Sequence, residues 1–77
     1  MSEVTVAIIS DRLRVLIGGV MHLSVHLGEL VCIHAYKWGE DRYCIDYVLR
    51  TTKVETWYAE EETWTKILRG LNNLDLA

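Results

Sequence analysis

Hydrophobic side chains recur along this chain at two spacings. Up to residue 59 they fall mostly at every second position, and after it at every third or fourth. The stretch VMHLSVHL (20–27) shows the first spacing: Met21, Leu23, Val25 and Leu27 alternate with His22, Ser24 and His26. Period two is the signature of a strand with one buried face. EVTVAII (3–9) and RLRVLIG (12–18) read as a hairpin across Ser10-Asp11. With Ile9 facing Arg12, residues Val4, Val6 and Ile8 lie opposite Ile17, Val15 and Leu13, so one face is wholly aliphatic and supports its own register. Ser-Asp is a poor turn pair, and the hairpin rests on the pattern.

Gly18-Gly19-Val20 supplies pliable backbone for the next reversal. A three-residue loop there sets Met21, Leu23 and Val25 against Ile17, Val15 and Leu13. It leaves His22 beside Leu16, Ser24 beside Arg14 and His26 beside Arg12 on the other face. A two-residue Gly-Gly turn would instead bring Arg14 next to Leu23 and mix the faces. LGEL (27–30) turns the chain again, and VCIHAYKW (31–38) and RYCIDYVLR (42–50) form a hairpin closed by Gly39-Glu40-Asp41. Pairing Trp38 with Arg42 aligns Ala35 with Ile45, Ile33 with Tyr47 and Val31 with Leu49. The opposite face then holds Tyr36 across from Cys44 and His34 across from Asp46. A register one step tighter would oppose Lys37 and Arg42, a like-charge pair. VETWYA (54–59) reads as the last strand, with Glu55 facing Arg50.

In EEETWTKILRGLNNL (60–74) the spacing changes: Trp64, Ile67, Leu68, Leu71 and Leu74 share one helical face. Glu60, Glu61 and Glu62 suit the positive end of a helix dipole. Gly70 is a poor interior residue at which the helix is expected to falter, and Asn72 and Asn73 are natural ending residues. The fold class is therefore α+β. One small domain, 1–77, consists of an antiparallel meander of five to six strands (3–9, 12–18, 20–27, 30–38, 42–50, 54–59) packed by one C-terminal amphipathic helix (60–72). The helix is expected on the face of Val6, Val15, Leu23, Ile33 and Ile45. This order of elements resembles pleckstrin-homology-like scaffolds in outline, with no shared motif.

Size and composition sharpen this reading. A chain of 77 residues buries only about 60–65% of the surface it exposes when unfolded, so its stability margin is thin. Its 51% hydrophobic content is nevertheless that of a folding chain. With no phenylalanine, three tryptophans and four tyrosines, its aromatic groups all carry polar handles and suit half-exposed positions and interfaces. A net charge of −3 argues against nucleic acid or an anionic membrane as partner. From Gly39 onward there are eight acids against five bases, and before it three of each. The N-terminus has no basic region ahead of its short apolar stretch, which predicts no secretory signal. No apolar run approaches the roughly 20 residues of a membrane span. Cys32 and Cys44 fit a reducing, cytoplasmic setting in which both remain thiols.

Candidate chemistry is sparse. On a strand His22 and His26 stand about 13 Å apart, too far to share a metal ion. His34, Asp46 and Cys44 lie close enough to suggest a Cys-His-Asp nucleophile. However, no helix N-terminus, glycine-flanked thiol or oxyanion hole accompanies them. A metal or small-ligand site built from His34, Asp46 and a cysteine is the alternative reading, without the spacing of known zinc sites. A Cys32–Cys44 disulfide is disfavoured because the two are not directly opposite. No phosphate-cradling glycine loop, dinucleotide fingerprint or carboxylate pair occurs.

The residues Cys32, His34, Tyr36, Trp38, Cys44 and Val48 alternate away from the face assigned to the helix, and one short helix cannot cover both sides of a sheet. Tyr36, Trp38, His34, Cys44 and Val48, rimmed by Arg42, have the composition of an interface centre. A basic stripe of Arg12, Arg14, His22 and His26 forms a second candidate surface. The expected function is a non-catalytic interaction module without a cofactor: a regulator, inhibitor or accessory protein binding a protein partner or itself as a homodimer.

Overall fold

The computed structural model describes residues 3–76; residues 1, 2 and 77 lie outside the described residues. The chain runs β1 (Val4–Ile9), β2 (Arg12–Ile17), β3 (Val20–His26), a 3-10 turn at Leu27–Glu29, β4 (Leu30–Trp38), β5 (Arg42–Leu49), β6 (Val54–Ala59) and α1 (Glu61–Asn73). The class is α+β with six strands, as the spacing predicts. The expected continuous meander, however, is divided. β1-β2-β3 form one antiparallel sheet and β4-β5-β6 another, and the strands do not close into a barrel. The break falls at the 3-10 turn, where His26 Nδ1 accepts from the Gly28 N–H at 3.0 Å and caps the turn. No helix among the described residues is long and apolar enough to cross a membrane.

Both sheets and the helix share one core. Leu13, Val15, Leu23 and Val25 from the first sheet meet Ile33 and Ile45 from the second and Ile67 and Leu71 from α1, all buried. The face expected to receive the helix is the one that does. Gly70 does not end the helix, because α1 continues to Asn73. A Cβ at Gly70 would lie 2.6 Å from Cβ of Val6, so the missing side chain is what lets α1 lie against β1. The helix ends at the two asparagines, with Leu74 as its cap. Asp75, at φ 58°, takes the left-handed position, and Asp75 N–H and Leu76 N–H donate to the carbonyls of Asn72 and Leu71. That is a Schellman ending with aspartate where glycine is usual.

The β1/β2 register is the one the aliphatic pattern demands: Val4↔Ile17, Val6↔Val15, Ile8↔Leu13. Ser10 and Asp11 both adopt positive φ, 53° and 60°, the conformation that completes a two-residue hairpin turn. The β2/β3 hairpin corrects the expected three-residue loop. Gly18 and Gly19 make a tight turn with φ of 58° and 80°, and Ile17 pairs with Val20 and Leu16 with Met21. The mixing of faces that such a turn would cause is cancelled by a β-bulge. The register shifts between Val15 and Leu16, so that Val15 still meets Leu23 and Leu13 still meets Val25. Met21 is consequently exposed instead of buried. In the second sheet Trp38↔Arg42, Ala35↔Ile45 and Ile33↔Tyr47 hold, but a shift between Leu30 and Cys32 puts Leu30, not Val31, opposite Leu49. Glu55 pairs with Tyr47 instead of facing Arg50 and forms an ion pair with Lys53 at 2.9 Å.

Candidate functional site

The second sheet turns Ile33, Ala35, Ile45, Tyr47 and Trp57 toward the core, and alternation sends their neighbours outward. Three cross-strand rows follow from the register: Tyr36–Cys44–Tyr58, His34–Asp46–Thr56 and Cys32–Val48–Val54. Trp38 and Arg42 close one end, with the guanidinium carbon 5.7 Å from the indole ring centroid. Trp38 is 64% exposed, Tyr58 and Val54 59% each, and Tyr36 38%. Asp41, Arg42, Tyr43, Tyr58 and Ala59 line a shallow groove at the Arg42 end.

This face contains every expected interface residue, but not on equal terms. Tyr36, Trp38, His34 and Arg42 are exposed and Val48 is half-buried. Cys44 is only 1% exposed, which removes it as a contact residue. It is a small floor between two tyrosines, and its carbonyl oxygen is held from the other side by Trp64 Nε1 at 3.0 Å. The Trp64 ring in turn tilts against Tyr43, centroids 5.3 Å apart, so the start of α1 fixes the start of β5. Tyr58 and Val54 were not among the expected contacts. The alternation of VETWYA places both outward once Trp57 is known to face the core, but that alternation alone does not pair β6 with β5.

Asp46 stands on this face with its Oδ1 enclosed and without a hydrogen-bond partner. It lies opposite His34 as expected, yet the ion pairs among the described residues are Lys53–Glu55 and Lys66–Glu62. Its influence falls on Tyr36 instead. The Tyr36 phenol is pushed up to about 12, first by hydrogen-bonding interaction with Asp46, then by desolvation and the charges of Asp46 and Cys44. Both cysteines are free thiols. Among the described residues no three His, Cys, Asp or Glu side chains gather in a way that could hold a metal ion. The metal form of the His34–Asp46–cysteine alternative therefore has no convergent ligand set among the described residues.

The basic stripe is only partly assembled. Arg12 is anchored on the outer face of the first sheet by Ser24, through Nε to Oγ at 2.9 Å and Nη2 to the carbonyl at 3.2 Å. Arg14 lies beside it with its Nε enclosed and unpartnered, and His26 faces Arg12. His22 does not belong to this stripe. The bulge leaves it out of the pairing, and its ring stacks on Trp57 of the second sheet at 5.7 Å. Comparison with known protein families, with curated proteins and with solved structures gives no match for this chain.

Proposed function

We propose that this protein is an interaction module acting by contact rather than catalysis, and that it engages a protein partner through the outer face of β4-β5-β6. The observation that carries the reading is the run of Tyr36, Trp38, Val54 and Tyr58, all exposed on one face by the period-two alternation of their strands. Amphipathic aromatic rings with a guanidinium at the rim are the groups that dominate protein interfaces. The helix and the first sheet pack on the other side of β5, so no element among the described residues covers this face. A regulatory or accessory role in a reducing, cytoplasmic compartment suits the two free thiols.

The test compares association with folding in Trp38→Ala and Tyr58→Ala. Both rings are mostly exposed, so the melting temperature should barely move, while association, with itself or with a co-purifying protein, should weaken at least about tenfold. Parallel losses of stability and association would make these rings part of the fold and overturn the reading.

A further inference from the structure

Building on that reading, we infer that the occupant of this face is a second copy of the chain, packed face to face through a two-fold axis along the Tyr36–Cys44–Tyr58 row. The face is self-complementary in charge about that row. Arg42 lies two residues to one side of Cys44 on β5 and Asp46 two residues to the other. Turning one copy over about the row places Arg42 above the partner's Asp46, and Asp46 beneath the partner's Arg42. The same rotation sets Tyr36 against the partner's Tyr36, Tyr58 against the partner's Tyr58, and Trp38 against the partner's His34.

A two-fold interface needs this property: residue i meets j while j meets i. A rotation about the strand direction would stack Arg42 on the partner's Arg42, so charge selects between the two axes. Asp46, which has no cation among the described residues, gains one. Arg42, which rests over Trp38 in the single subunit, keeps its planar fork for a carboxylate. Face-to-face sheets cross at about 30°. Side chains roughly 7 Å from the axis are thereby displaced by about 4 Å, within the reach of an arginine.

The footprint sets the strength. Three strands of nine, eight and six residues span roughly 14 Å by 20–30 Å at standard strand spacing and rise. That is about 400 Å² per copy or less, below the size of standard specific interfaces, so association is weak, reversible and concentration-dependent.

Sedimentation velocity of the whole chain, from about 1 µM to about 1 mM, is the experiment. The wild type should pass from monomer to dimer. Arg42→Asp and Asp46→Arg should each raise the dissociation constant more than about tenfold by opposing like charges. An equimolar mixture of the two variants should recover a heterodimer, because every 42–46 contact is then again between opposite charges. Arg42→Ala, at an exposed position, provides a weakened dimer whose melting temperature at low concentration should match wild type, independent of whether Asp46→Arg folds. A wild type that stays monomeric at every concentration, a dimer indifferent to Arg42→Asp, or folded variants that fail to recover on mixing would overturn the two-fold arrangement. The Trp38→Ala and Tyr58→Ala comparison decides separately whether the face binds any protein at all.

Discussion

The ring of His22 lies nearly parallel to that of Trp57, centroids 5.7 Å apart and planes inclined by 13°. This stack joins the bulge of β3 to the inner side of β6, and so links the two sheets directly. His22→Ala should cost about 1 kcal/mol, read as a lower urea midpoint with an altered near-ultraviolet circular dichroism signal from Trp57. An unchanged midpoint would mean that the stack contributes nothing to holding the sheets together.

Tyr36 gives the fold an alkaline limit. Its pKa rises from the ordinary value of 10.0 to about 12 in the folded chain, so the folded state holds the phenolic proton more tightly than the unfolded one. The resulting stabilisation is fully present below pH 10 and disappears as pH climbs toward about 12. Absorbance titration near 295 nm, taken as the difference between wild type and Tyr36→Phe, should show one late-titrating phenol. Asp46→Asn should bring that titration back toward 10.0, since the carboxylate is its main cause.

Gly70 should be intolerant of any side chain. Alanine would raise intrinsic helix propensity by about 1 kcal/mol, but its methyl group would sit 2.6 Å from Cβ of Val6. Overpacking of this kind costs roughly 1–3 kcal/mol, and the contact is with a stiff β-branched residue. Gly70→Ala should therefore lower the melting temperature, and a rise would show that α1 can lift away from β1 freely.

The first turn leaves room for improvement. Ser10 and Asp11 both hold positive φ, at a cost that asparagine and glycine largely avoid. Replacing the pair with Asn-Gly should add about 1 kcal/mol to the unfolding free energy and shift the urea midpoint upward at constant slope.

Much of this architecture was legible in the alternation. Pairing Val4, Val6 and Ile8 with Ile17, Val15 and Leu13 needs only the requirement that one face be aliphatic, and that face is the buried one. The Tyr36, Trp38 and Arg42 surface followed from the same rule. The departures share a physical origin in backbone irregularity. Period-two reasoning assumes an unbroken ladder, so it could not place His22 against Trp57 or Leu30 opposite Leu49. Likewise, propensity marks Gly70 as a weak point of the helix, because the neighbour that demands glycine, Val6, lies far away in sequence. Alternation gives Cys44 its outward direction but not the cover provided by the flanking tyrosines, which leaves it 1% exposed.

The bulge at residue 22 also governs where this hairpin can change length. A strand's inside and outside are a matter of odd and even counting, and His22 is the surplus unit that restores parity after the two-glycine turn. Excising that single residue would leave Leu23 and Val25 pointing inward and Ser24 still alongside Arg14. Excising its neighbour Ser24 would instead turn one of the two core side chains out into water.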